Sequence, residues 1–407
     1  MKLLFAWRYF RSKKSTNAVN IISWVSVFAM AVGTAALITV LSVFNGFEYF
    51  IKDLYSNFYP EIKITAVQKS TFSISDSTCL SLRSIAGIKF VSKTLEEKIL
   101  FSFEDNQAIA TLKGIDTSYN LVTGIAKNVR YGRFNLADSG KLPNIVLGVG
   151  ISNRLGASEE SHEPITCYSF KRESSMQALD PTQMYNTNLF TIEGVYVLQD
   201  DIDNQYAFAS LKAVQELAEK ENQISSIEIK LKSNEQVNEV MLEIQKLFPA
   251  ADFRVESRWM QNKTLYFILK SERWAVYAIL TLMLLIASFN IIGSLSMLVM
   301  EKEKDIRILK SMGMENKDIQ QIFLSTGVFL SLIGASIGCA LATILLGLQQ
   351  QFGFIKLGNA DAFLINAYPV KMIPTDYVLV LVTVVFIAAL ASWIPARKAS
   401  KVKMGAA

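Results

Sequence analysis

Four stretches of the chain, residues 15–47, 274–300, 319–355 and 377–396, contain no charged residue. Crossing a hydrocarbon core of ~30 Å at 1.5 Å per residue takes about 20 apolar residues in a helix. One Arg, Lys or Asp at the centre of such a helix costs about 2.5–3.5 kcal/mol on insertion scales, so four charge-free runs do not arise by chance. The pattern predicts four membrane helices: 18–47, 263–300 (a stalk and the second span), 319–349 and 377–396.

Between the first and second spans the pattern changes. Strand-like runs of β-branched and aromatic residues mark 61–67, 98–104, 108–115, 144–149, 189–198 and 224–232. Helical periods mark 76–86, 149–155, 210–219 and 235–248. In the last of these, Val237, Val240, Met241, Ile244 and Leu247 share one apolar face, and Asn234 suits an N-cap. The expected fold class is an α-helical membrane domain of four transmembrane helices, with a large mixed α/β extracytoplasmic domain at 48–262 between helices 1 and 2. That domain is large enough to bury its own core, in one lobe or two. The polar stretch 171–188 has no clear period and reads either as a surface loop or as a partner-binding excursion. No strong helix breaker follows Asn262, so one continuous helix is expected to lead into the second span.

Charge sets the orientation. Lys2, Arg8, Arg11, Lys13 and Lys14 precede the first span without an acid, and Arg397, Lys398, Lys401 and Lys403 follow the last, again without an acid. Residues 48–273 carry 25 Lys/Arg against 29 Asp/Glu, a net of −4. The positive-inside rule then puts both termini, including the tail 397–407, in the cytoplasm and the large domain outside. The overall charge of +5 is therefore a topological signal and not a nucleic-acid one. Residues 1–14 alternate rings and cations, which suits either a helix lying at the cytoplasmic headgroups or a plain basic tail. The first apolar run is about twice a signal peptide's hydrophobic region and is expected to stay as a membrane helix. No cysteine near the start suits lipidation. Cys79 and Cys167 lie in the external region, where a bridge is chemically allowed but free buried thiols are expected; Cys339 lies in a span.

The loop 301–318 (EKEKDIRILKSMGMENKD) carries five basic and five acidic residues on a short helical pattern. Ile306 and Leu309 share a face with Lys302 nearby, Gly313 can end the helix in a left-handed cap, and Asn316 can cap the next. Such a segment either docks in a groove of a soluble partner or simply joins two spans. The chain has no phosphate-binding GxxxxGK[ST] loop and no nucleophile elbow. Its one histidine, His162, has no metal-ligand neighbours and reads as a surface residue. No cofactor or metal is expected on this chain, nor an enzymatic activity. An ion gradient usually needs ionisable groups within the spans, so a partner ATPase is the expected power source.

Four segments are similar to one family. Residues 7–14 (WRYFRSKK) and 20–48, ending LSVFNGFE, resemble the start of the lipoprotein-releasing ABC permeases of the LolC/LolE family. Residues 289–313 (FNIIGSLSMLVMEKEKDIRILKSMG) resemble that family's second span and coupling helix. Residues 327–346, and 368–377 with 394–401 (YPVKMIPTDY, IPARKASK), resemble its third span and its end. The small-residue pattern of the third span is shared with the wider FtsX/MacB-like superfamily. The tail 402–407 and the segment after Leu155 depart from the family pattern.

The resemblance implies a type VII (MacB-like) ABC transporter architecture in a bacterial inner membrane. Two permeases, identical or paralogous, would bind a cytoplasmic ATPase dimer that holds the ATP and Mg, and the cargo would be acylated lipoproteins passed to a periplasmic carrier. Coupling to the ATPase would rest on Glu301, Lys302, Glu303, Asp305, Ile306, Leu309, Lys310 and Gly313. Acyl chains would enter between the outer ends of spans one and two, past Val40, Val43, Phe44, Phe47, Leu265, Phe267 and Ile268. A carrier-binding hairpin would fall near 171–188, and 350–376 would be a short periplasmic loop. An FtsX-like mechanotransmission subunit and a MacB-like exporter permease remain alternatives.

Overall fold

The structure, a computed structural model, describes residues 17–137, 142–161, 163–171, 185–233, 236–356 and 367–402, without the side chains of 17–20. The interfacial segment 1–14, His162, Asn234 and most of the polar stretch 171–188 lie outside the described residues. The chain forms two compact units: Lys52–Tyr266, and Met1–Ile51 together with Phe267–Ala407.

The first helix, α1 (Asn17–Phe58), and a later one, α6 (Lys263–Glu301), each run across a unit boundary. Within Lys52–Tyr266 the strands are β1 (Ile62–Ala66), β2 (Ile88–Phe103), β3 (Asn106–Ile115), β4 (Val129–Gly132), β5 (Asn144–Gly148), β6 (Ile165–Phe170), β7 (Tyr185–Tyr196), β8 (Tyr206–Ser210), β9 (Ser226–Leu231) and β10 (Phe253–Ser257). They form one ten-stranded sheet in the order β10-β1-β9-β2-β3-β8-β5-β7-β4, with β6 bridging β2 and β7. Pairing is antiparallel except for β3 with β8 and β5 with β7. Helices α2 (Asp76–Ser84), α3 (Val149–Leu155), α4 (Leu211–Leu217) and α5 (Val237–Leu247) cover the sheet's faces.

Local chemistry fixes these helices. The Ser75 and Ser210 hydroxyls accept from the Thr78 and Ala213 amides at the starts of α2 and α4, and α3 ends on Gly156 at φ +66. In α5, Val240, Met241 and Ile244 pack against Ile62, Ile227 and Ile229, whereas Leu247 lies outside that face, exposed. Among the described residues three apolar cores pack on this single sheet, one around Leu95, Phe101, Ile145 and Phe190, one around Ile64, Ile229 and Ile244, and one around Phe58, Tyr119, Tyr196 and Phe208. Cys79 and Cys167 are both buried and free, and burial pushes the Cys167 thiol up.

Among the described residues four helices are long and apolar enough to cross a membrane: α1, α6, α8 (Asn316–Phe352) and α9 (Pro374–Ser400), with the short α7 (Glu303–Ser311) between α6 and α8. Met30, Leu37, Leu41, Leu284, Leu295, Phe323, Val384 and Ile387 meet in their shared core. Small residues set the α1–α8 spacing: a methyl on Gly338 would sit 2.5 Å from the Ala31 carbonyl oxygen. The opposite surfaces expose Phe28, Phe267, Ile279, Met283 and Phe386. A helix apolar all round suits lipid and not water.

Candidate functional site

Two ends of the helical bundle carry the residues singled out in the sequence. At one end, α6 turns directly into α7. Ile306 is 1% exposed and packs into the bundle core beside Ile319 and Phe323. The Lys310 ammonium donates to the carbonyls of Ser400 (2.8 Å) and Val402 (2.7 Å), tying α7 to the end of α9. Glu303 pairs with Arg307 at 2.6 Å and Lys302 with Asp305 at 3.5 Å, both one turn apart on the same helix. Glu301 is half-buried and one of its carboxylate oxygens has no partner. Gly313 takes φ +90, with its amide on Lys310 and the Met314 amide on Leu309, so α7 ends in a Schellman motif. Glu315, not Asn316, occupies the N-cap of α8.

The apolar surface that α7 leaves outward differs from the face expected. Ile306 points inward and Leu309 is half-buried, while Ile308 and Met312 are exposed at 58% and 79%. A nine-residue helix has room for one inward and one outward apolar stripe. The bundle core claimed the stripe that the periodicity had suggested for a partner.

At the other end, Val40, Val43 and Phe44 are half-buried and Phe47, Phe267 and Ile268 exposed; Leu265, half-buried, belongs to the sheet-bearing unit. Of these, Val43 lines a cavity of about 530 Å³, walled by Thr39 and Val43 of α1, Leu345 and Leu348 of α8, and Phe354 and Tyr368 of the following connection. The wall is almost wholly apolar, and its size is in the range of small-ligand sites. The acyl entry expected from the sequence lies between α1 and α6, whereas this cavity opens between α1 and α8. The extension of the uncharged run through Phe352, Phe354 and Ile355 was the available signal.

Around residues 41–48 the bundle is pinned by polar contacts. Asn45 donates to Asp376 of α9 at 2.5 Å, and Arg273 of α6 donates to the same carboxylate at 2.6 Å. The Lys371 amide donates to the Ser42 carbonyl, and the Lys371 ammonium lies 3.8 Å from the Tyr49 ring centre. Among the described residues no group of three or more His, Cys, Asp or Glu side chains is placed to hold a metal.

The model of the MacB-like periplasmic core domain matches residues 23–247, and that of the FtsX-like permease C-terminal region matches residues 277–404. The chain belongs to this MacB- and FtsX-like permease family. It is an ABC transporter permease, with four apolar helices and a MacB-like periplasmic domain. Over nearly its full length the permease is similar to the lipoprotein-releasing system transmembrane protein LolC of Neisseria meningitidis serogroup B, at 25% identity over 98% of this chain and 97% of that one. It is also similar to LolE of Haemophilus influenzae, at 26% identity over 98% of this chain and 96% of that one. The crystal structure of the periplasmic region of MacB from Actinobacillus actinomycetemcomitans aligns over 52% of this permease and 94% of that chain, at 15% identity and a TM-score of 0.37.

Proposed function

We propose that this permease releases acylated lipoproteins from the bacterial inner membrane to a periplasmic carrier, using ATP hydrolysed by a separate cytoplasmic ATPase dimer that holds ATP and Mg. The observation that carries the reading is similarity to both LolC and LolE over all four spans and the periplasmic domain. In this reading the chain pairs with an identical or paralogous permease in a type VII architecture, with both termini cytoplasmic.

The energetics call for such a machine. Each buried acyl methylene is worth ~0.8 kcal/mol, so three chains of roughly fifteen methylenes hold a lipoprotein by tens of kcal/mol. Unassisted desorption is negligible. A transporter must first offer an apolar surface, here Val40, Val43, Phe44, Phe47, Leu265, Phe267 and Ile268 with the cavity beside Val43, and then withdraw it. Coupling runs through α7: Ile306, Lys310 and Gly313 fix its position and shape, and Ile308 and Met312 offer the apolar contact to the ATPase. Glu301, Lys302, Glu303, Asp305 and Leu309 complete that segment.

Copurification tests the reading. The permease should bring down an ABC ATPase without spans of its own, together with triacylated lipoprotein. Cargo should be lost when the acyl chains are removed. An ATPase partner with no acyl-dependent cargo would instead favour an FtsX-like mechanotransmission role.

A further inference from the structure

The motif LSVFNGFE at 41–48 does more than mark a family: its side chains enter a charged junction of three helices. Asp376 sits in the first turn of α9, after Pro374, with its side chain 4% exposed. A helix N-terminus favours a carboxylate there, which fixes Asp376 to α9. One of its oxygens accepts from Arg273 of α6 at 2.6 Å and the other from Asn45 of α1 at 2.5 Å. Arg273 also lies 4.0 Å from Glu48 of α1. Gly46 lets the two backbones approach at this point, since a methyl there would sit 2.2 Å from the Pro369 carbonyl oxygen.

A second polar junction joins α1 to α6 further along. The Ser26 hydroxyl donates to the Asn290 carbonyl at 2.9 Å, and the Ser23 and Ser294 hydroxyls are 3.2 Å apart. From Ser26 to Asn45 along α1 is about 28 Å at 1.5 Å per residue, close to the ~30 Å of a hydrocarbon core. Near Asn45 the helices α1 and α6 are thus joined through Asp376 of α9 by charged groups, and near Ser23 and Ser26 they are joined directly by neutral hydroxyls.

We propose that Arg273, Asp376 and Asn45, backed by Glu48, form a latch that closes the outer end of the α1–α6 seam, and that this latch parts to admit an acyl-bearing cargo while the serine junction stays as the hinge. The proposal rests on the reading that cargo enters between α1 and α6. Val43 and Phe44, half-buried, precede Asn45, so opening the latch uncovers more of the apolar surface assigned to acyl contact. Asp376 is the fixed post; Arg273 and Asn45 are the partners that leave it. These three are positioning residues, acting on the cargo path without touching cargo.

The test measures spin-label distances in the full chain in lipid vesicles. Labels go on Tyr49→Cys and Lys270→Cys, with Cys79, Cys167 and Cys339 replaced by Ala. With the latch intact, one short distance is expected and any longer population stays under about 10%. Asp376→Asn, which removes the charge but keeps the shape, should raise the longer population to roughly half. Arg273→Gln, which removes the opposite charge, should raise it in the same way. An unchanged distribution in D376N or in R273Q overturns the latch. If D376N fails to insert, R273Q decides alone: a raised longer population supports the latch, and an unchanged distribution or failure to insert overturns it. The readout needs no cargo or nucleotide. Failure of the lipoprotein reading would appear as absent acyl-dependent copurification with these distances intact.

Discussion

Lys113 of β3 and Glu228 of β9 meet at 2.6 Å inside the sheet-bearing unit, and both side chains are buried. Glu96 of β2 lies 3.3 Å from the same ammonium and 3.1 Å from that of Lys63 on β1. Four strands thus contribute two ammonium groups and two carboxylates, and Lys113 also faces the rings of Phe58 and Tyr119. Burial alone would lower the Lys113 pKa, but Glu228 and its neighbours hold it well above the usual lysine value. Breaking a buried pair by removing one partner costs about 3–5 kcal/mol, because the other charge is left uncompensated. Lys113→Met should therefore lower the apparent Tm of the detergent-solubilised protein by roughly 10 °C, at 2–4 °C per kcal/mol. Adding Glu228→Leu should recover part of that loss. Thermal melting of the two variants checks both statements.

The same cluster predicts an acid limb. Burial would raise the Glu96 carboxyl, yet Lys113 and Lys63 hold it at about 2, below its ordinary 4.5. A depressed carboxylate stabilises the fold above its unfolded value and loses that contribution as pH falls towards its folded one. Stability should thus decline between about pH 4.5 and 2. Glu96→Gln should flatten this part of a Tm-against-pH curve, and an equally steep decline in the variant would show that other groups cause it.

Glycine substitutions should separate close approach from free surface. At Gly46 an added methyl meets the Pro369 backbone, its carbonyl oxygen at 2.2 Å and carbon at 2.5 Å, whereas at Gly293 it meets nothing within 4 Å. Gly46→Ala should destabilise by about 1–3 kcal/mol or more, as overpacking does. Gly293→Ala should stay within about 0.5 kcal/mol of wild type, as expected away from packed features. Melting temperatures of the two variants supply the comparison.

On α7 the inward and outward residues should give different phenotypes. Ile306→Asp places an unpaired charge in the bundle core and should reduce folded yield. Ile308→Asp and Met312→Asp should leave folding intact yet weaken binding of the ATPase by roughly tenfold or more, a hot-spot-sized loss. Lys310→Met should free the chain around Ser400 and Val402, seen as faster proteolysis of the end of α9. Size-exclusion profiles and pull-down of the ATPase distinguish the classes.

The spans were legible because insertion physics penalises every charge within them, and each uncharged run falls largely within a long helix. Strands were legible where Ile, Val or Thr recur in short runs of apolar residues, as in β1, β3, β5 and β9. The first half of β2 was missed because Lys89, Ser92 and Lys93 break its apolar pattern; the pairing of Ile88–Thr94 with β9 holds it as strand instead. β4 and β8 are short runs beside stronger ones. Asn316 was misread as a cap because a cap is set by backbone geometry, which puts Glu315 there. The latch escaped notice because Glu48, Arg273 and Asp376 look like ordinary flanking charges at the ends of three uncharged runs. Only the packing shows that Arg273 and Asp376 bond each other, with Glu48 close by.

In the proposed function, ATP hydrolysis by a partner is spent on moving acylated cargo out of the bilayer. The decisive measurement is release of a triacylated lipoprotein to a soluble carrier from vesicles containing the permease copurified with its ATPase. Release should require ATP and the carrier and should be lost with Ile308→Asp while the permease stays folded. Release that proceeds equally well without ATP, or no release of acylated cargo from an assembled and ATP-hydrolysing complex, would contradict it.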